Sequence, residues 1–195
     1  MKRIITIIAL LLTSCLLLNG QEHLKFKNIP IDGTVTSFIS KLKAAGLKHY
    51  SDTGINEVLD GTFAGMNNCK VIFASSDKTK TVFRVAVITE NEVSWRSLKN
   101  TYNTVKETYN NKYGEGRSYE FFEDPYYEGD GFEFQALRRD KCTYATFYTT
   151  PEGNISIQMK GSSTSSEGYL LITYEDDKNF DKAKEEREAT VIDDI

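Results

Sequence analysis

The densest group of chemically active side chains lies in one acidic and aromatic segment. Residues 119–134 read YEFFEDPYYEGDGFEF, with Tyr126 and Tyr127 after a proline and Glu128 and Asp130 beside glycines. Exposed tyrosines can stack on a sugar or anchor a protein partner, because each ring supplies a large contact area at low entropic cost. The segment therefore predicts a ligand or partner surface at Tyr126, Tyr127, Glu128 and Asp130. The open alternative is that both rings fold back on a sheet.

Carboxylates in the same segment raise the question of a metal. Glu123, Asp124, Glu128 and Asp130 supply the oxygen ligands that calcium prefers. Their spacing does not match the calcium loop of EF-hand proteins, so a solvated acidic hairpin tip is the favoured interpretation. We expect no metal site here.

Residue patterns of the common enzymes are missing. His23 and His49 are the two histidines, and neither has the spacing of a zinc-binding pair. The sequence has no nucleophile elbow, phosphate-binding loop or dinucleotide-binding glycine pattern. We expect no catalytic residues and no cofactor. The alternative is an envelope hydrolase with an unfamiliar carboxylate-based site.

Residues 1–20 have the order of parts found in a secretory signal peptide. Lys2 and Arg3 come first, an apolar run at 4–18 follows, and Gly20 precedes polar residues. The run is shorter than the ~20 residues that a spanning helix needs. We expect cleavage after Gly20, export to the periplasm or cell envelope, and no membrane span.

A second cleavage mode competes with this one. The sequence LTSC at 12–15 resembles a relaxed bacterial lipobox, in which Cys15 becomes the lipidated first residue. Three leucines continue the apolar run beyond Cys15, where lipoproteins usually turn polar, and this favours ordinary cleavage. Leu18 is bulky for the peptidase that would cut after Gly20, so a lipid anchor at Cys15 stays open.

Charge and cysteine content agree with an exported protein. Removal of residues 1–20 takes away two bases and leaves 22 Lys+Arg against 28 Asp+Glu, a surface that does not favour nucleic acid. Cys69 and Cys142 are then the only cysteines. An even number in a compartment that permits disulfides predicts a Cys69–Cys142 bridge. Two separate buried thiols are the alternative.

The elements that must position these residues follow from hydrophobic periodicity. Apolar side chains recur at helical spacing within 34–46 and within 93–113, and a charged helix follows at about 179–189. Asn67-Asn68 predicts a hairpin turn between two strands. The predicted strands are 57–66, 69–75, 81–89, 118–122, 132–138, 142–149, 154–160 and 169–174.

The order of helix then strands occurs twice along the chain. Successive strands joined by hairpins form antiparallel sheet, and helices between them cover one face, which predicts an α+β fold. We expect one α+β domain at 21–195 with a charged C-terminal helix and tail. Two pseudo-repeated halves, at about 21–90 and 91–180, are an open possibility.

Three short motifs carry a resemblance to other proteins. They are HLKFKNIPIDGT at 23–34, GTFAG at 61–65 and KYG at 112–114. With them, residues 22–114 resemble uncharacterised exported proteins of Gram-negative gut-type bacteria, which implies an exported α+β domain without an assigned activity. In architecture, the tandem helix-plus-meander order also looks like β-lactamase inhibitor protein and small outer-membrane assembly lipoproteins. Such likeness does not fix function.

Together these features favour a non-enzymatic binding or interaction module of the cell envelope. Its expected partner is an envelope protein or a glycan.

Overall fold

The structure is a computed structural model that describes residues 22–52, 57–163 and 166–193. Its elements, in chain order, are β1 (Lys25–Phe26), β2 (Ile29–Pro30), α1 (Val35–Ala44), β3 (Lys48–Asp52), β4 (Glu57–Phe63), β5 (Met66–Ser75), β6 (Val82–Ile88), α2 (Trp95–Tyr113), β7 (Arg117–Phe122), α3 (Glu133–Arg138), β8 (Cys142–Thr150), β9 (Gly153–Gly161), β10 (Gly168–Asp176) and α4 (Asp177–Asp193). The signal-peptide and lipidation predictions fall on residues 1–20, outside the described residues.

An eight-stranded antiparallel sheet in the order β3-β4-β5-β6-β10-β9-β8-β7 forms the centre of the fold. β1 and β2 form a separate two-stranded sheet. The predicted α+β class with antiparallel sheet is therefore confirmed. Each run of four large-sheet strands follows a helix, α1 or α2, and the two runs meet at β6 and β10. This order suits the proposed pseudo-repeat, which stays a prediction.

The two amphipathic helices, α1 and α2, lie within the predicted ranges 34–46 and 93–113. Thr34 caps α1 by accepting a hydrogen bond from the N–H of Ser37 at 3.3 Å. Ser94 caps α2, and Gly114 follows its last turn at φ 84°. The buried side chains of these helices are Val35, Phe38, Ile39 and Leu42 in α1, and Leu98, Tyr102, Val105 and Tyr109 in α2.

Two local predictions are wrong. The β4–β5 turn lies at Ala64 and Gly65, with φ of 48° and 80°, rather than at Asn67-Asn68. Residues 133–138 form helix α3 rather than a strand, because Glu133, Ala136 and Leu137 bury one helical stripe. A segment this short satisfies helical and strand patterns equally well.

The two faces of the large sheet differ in what covers them. Helices α2, α3 and α4 contact strands β6, β8, β9 and β10, and α1 packs Phe38 against Phe73 at 6.0 Å between ring centroids. Side chains on this helix-covered face, such as Val85, Ile157 and Ile172, are fully buried. Side chains that alternate to the other face, called here the open face, are mostly half-buried or exposed.

No helix among the described residues is long and apolar enough to cross a membrane.

Candidate functional site

The predicted site residues at 126–130 lie together in one loop, but most of them make internal contacts. Tyr126 is half-buried and packs against the core, whereas Tyr127 is 65% exposed. Asp130 shapes the loop by accepting backbone hydrogen bonds from Tyr127 at 3.1 Å and from Phe132 at 2.7 Å. Tyr127 is therefore the predicted residue whose side chain points most freely to solvent.

Glu128 fastens this loop to α2. Its Oε1 accepts hydrogen bonds from Trp95 Nε1 at 3.2 Å and from Lys99 Nζ at 2.5 Å. The hydrogen bond from Lys99 lowers the pKa of Glu128, and the same bond raises the pKa of Lys99. Trp95 also packs its ring against Phe122 and Tyr144. The arrangement is that of a structural tether.

The carboxylates near this loop are not gathered as a cation site. Glu123 pairs with Lys141 at 2.7 Å, and Glu133 accepts a hydrogen bond from the N–H of Gly129 at 2.9 Å. Within 22–52, 57–163 and 166–193, no three His, Cys, Asp or Glu side chains form a group that could hold a metal ion.

Cys69 and Cys142 are free buried thiols. Cys69 lies on β5 and Cys142 on β8, and three strands separate these two in the sheet. At about 4.8 Å per strand they are on the order of 19 Å apart, far beyond the ~7 Å Cα limit for a disulfide. The strand order therefore opposes the predicted bridge, and both thiols are free in this structure. Burial raises the pKa of Cys69, and that of Cys142 to about 12.

The two histidines hold neighbouring segments together. His23 Nδ1 lies 3.1 Å from both carboxylate oxygens of buried Asp176, which also accepts the N–H of Leu24 at 2.8 Å. This cluster docks the N-terminal arm at the start of α4. His49 Nδ1 lies 2.7 Å from Glu57 Oε1. Neither histidine lies in a sequence motif that predicts its contact.

A groove of about 670 Å³ lies on the open face and is the site that sequence analysis missed. The strand register fixes its floor, since directly paired residues point to the same face. One row of paired residues crosses six strands from β5 to β7 as Ile72, Ala86, Thr173, Ser156, Phe147 and Arg117. A parallel row from β5 to β8 holds Ala74, Arg84, Glu175, Asn154 and Thr149.

A close backbone approach fixes the register beside this groove. Thr150 Oγ1 accepts hydrogen bonds from the N–H groups of Glu152 and Gly153, each at 3.2 Å, and so closes the turn between β8 and β9. A Cβ on Gly153 would lie 2.0 Å from Glu175 O. Only glycine fits there, and its small size lets β9 and β10 pair Asn154 with Glu175.

The groove combines aromatic, planar polar and hydroxyl groups. Phe147 lines the groove, and Tyr119 lies beside it on the same face of the sheet. Their side chains are 38% and 41% exposed, and their ring centroids are 6.0 Å apart. Arg84 Nε donates to Glu175 Oε2 at 2.7 Å, which orients both planar groups in the floor. The Arg117 guanidinium lies 5.6 Å from the centre of the Tyr119 ring. Such a surface can stack against rings and exchange hydrogen bonds with hydroxyl groups.

Neither a protein-family model, nor a curated protein, nor a solved structure matches this chain. The resemblance carried by residues 22–114 therefore stays a prediction.

Proposed function

We propose that this chain is an exported, non-enzymatic binding protein of the cell envelope that holds a glycan on its open face. The observation that carries the proposal is the groove of about 670 Å³ on the face that the helices leave uncovered. Ligand sites of small molecules and chain segments have volumes of about 300–1,000 Å³, so the groove has the right scale.

The lining of the groove supports a glycan over a protein surface. The centre of the floor is low and partly polar because its side chains are small: Ala86, Thr173 and Ser156. Protein interfaces usually have large aromatic or aliphatic anchors at their centre instead. Here the aromatic rings of Phe147 and Tyr119 stand toward the β7 edge, where they can stack on sugar rings.

Export is proposed from residues 1–20, whose pattern is that of a signal peptide. The proposed partner class, an envelope glycan, agrees with that compartment. Tyr127 is kept as a second contact, because it is exposed in the loop that follows β7.

An envelope hydrolase is the alternative function, and the groove supports it less well. Among the described residues that line the groove, Glu175 is the one carboxylate, and Arg84 holds it in an ion pair. Glycoside hydrolysis needs two carboxyl groups facing one another across the substrate. Activity toward glycans that survives Glu175→Gln would therefore require carboxylates outside the groove.

Glycan binding with a groove-filling variant tests the proposal. Ala86→Trp places a large ring on the groove floor, and Ala44→Trp places the same ring on the exposed side of α1. We expect an array of bacterial envelope glycans to bind the wild type and Ala44→Trp but not Ala86→Trp, with similar melting temperatures for all three. Absence of any glycan binding, or equal binding by both variants, would contradict the proposal.

A further inference from the structure

Basic side chains predominate on the open face, although the whole chain has 24 Lys+Arg against 28 Asp+Glu. The strand register places seven charged strand residues on this face, because paired residues share a face and alternate residues follow them. The basic ones are Lys48, Lys70, Arg84, Arg117 and Lys160, and the acidic ones are Asp60 and Glu175.

Some of these bases are left to interact with a ligand. Arg84 pairs with Glu175, and Lys70 Nζ lies 4.0 Å from Asp60. Arg117 and Lys160, in contrast, form no ion pair with any described residue. Arg117 lies beside the Tyr119 ring, so the groove presents a guanidinium and an aromatic face together at its β7 end.

The bases are too widely spaced for one small anion. Arg117 lies on β7 and Lys160 on β9, two strand positions apart, and Lys160 lies four residues along β9 from Ser156, which shares a row with Arg117. At about 4.8 Å per strand and ~3.3 Å per residue along a strand, this separation is on the order of 16 Å. A polymer with acidic groups at regular intervals could cross the strands and reach both unpaired bases.

We infer that the ligand is an acidic polysaccharide that crosses the strands, with its sugar rings against Phe147 and Tyr119 and its anionic groups near Arg117 and Lys160. This inference rests on the proposed function and names its ligand class. The ligand needs both anionic groups and sugar rings. A neutral glycan would leave the bases without partners, and an acidic peptide would lack the sugar rings that stack on the aromatic side chains.

Titration calorimetry with four probes tests the inference. The probes are polygalacturonate oligomers, dextran sulfate, neutral dextran and polyglutamate. We expect the two acidic glycans to bind at least about tenfold more tightly than dextran or polyglutamate. Their affinity should fall as NaCl rises from 50 to 500 mM, because salt screens exposed charges over distances of ~10 Å or less. Equal affinity for dextran, or for polyglutamate, would overturn the inference, the latter favouring an acidic protein partner.

Charge-removing variants connect the effect to the unpaired bases of the open face. Arg117→Gln with Lys160→Gln should weaken polygalacturonate binding about tenfold, which is the scale of one or two charge-assisted contacts. The matched control is Arg96→Gln, because the Arg96 side chain is exposed on α2, away from the open face. This variant should bind like the wild type. Arg117→Lys keeps the charge and should retain most of the affinity.

The outcomes separate this inference from the proposed function. Glycan binding that Ala86→Trp abolishes, but that Arg117→Gln with Lys160→Gln leaves unchanged, would overturn the inference and leave the open-face proposal standing. Loss of binding in Ala86→Trp together with about tenfold weaker binding in Arg117→Gln with Lys160→Gln, both with unchanged melting temperatures, would support both.

Discussion

The indole N–H of Trp95 donates to the carboxylate of Glu128 at 3.2 Å, and this contact ties the 123–132 loop to the start of α2. The Tyr144 hydroxyl donates to the same carboxylate, at 3.5 Å from Glu128 Oε2. A segment whose composition suggests a binding surface thus has a structural use for part of its polar groups.

Removal of the Glu128 carboxylate should destabilise the fold modestly. Glu128→Gln loses the charge that Lys99 contacts, and we expect a cost of about 0.5–1 kcal/mol because the pair is partly exposed. Since the pKa of Glu128 is lowered in the folded state, its contribution is full above the ordinary value of 4.5 and is lost as pH falls through the lowered value. Urea unfolding at pH 7 and at pH 3 should therefore show a difference at pH 7 that shrinks at pH 3. Glu115→Gln, on an exposed side chain, is the control, and an equal loss there would refute the tether.

The two tyrosines of this loop should behave differently when truncated. Tyr127→Ala should change the free energy of unfolding by no more than about 0.5 kcal/mol, because the ring is exposed. Tyr126→Ala removes a ring packed on the core and should cost roughly 1–3 kcal/mol. Thermal and urea unfolding of the single variants measure both costs. Equal costs for the two variants would show that the loop packs differently.

Both cysteines should stay reduced in the folded protein. Cys69 and Cys142 are buried, and burial raises the pKa of each thiol, so little reactive thiolate forms. A thiol reagent at pH 8 should label neither cysteine in the native state and both in denaturant. Intact mass after mild oxidation should show no loss of two hydrogens. A protein that stays unlabelled in denaturant would carry the bridge that the strand order opposes.

Export predicts a defined N-terminus. Expression in a Gram-negative host should yield an envelope protein whose mass corresponds to a chain beginning at Gln21. Intact-mass analysis of the purified protein decides this point. A diacylglycerol-modified species beginning at Cys15 would show lipoprotein processing instead.

Local patterns in the sequence predict the amphipathic helices α1 and α2 well, but they miss the short helix α3 and do not show the groove. The stripes of α1 and α2 repeat within a few turns and need no distant contact to be recognised. The groove depends on β6 pairing with β10, which brings Arg84 next to Glu175 across 91 residues of sequence. Alternation along β9 separates Asn154, Ser156 and Gln158 from the buried positions, but alternation alone does not show which face helices leave uncovered.

The central claim is that the open face binds the ligand, and amide chemical-shift mapping tests it most directly. A ¹⁵N-labelled sample titrated with polygalacturonate oligomers should show shifts at Ala86, Thr173, Ser156 and Phe147, the floor and aromatic wall of the groove. The amides of α2 and of the 126–130 loop should move less. Shifts that cluster on the helices or on that loop, with the groove amides unchanged, would contradict the account.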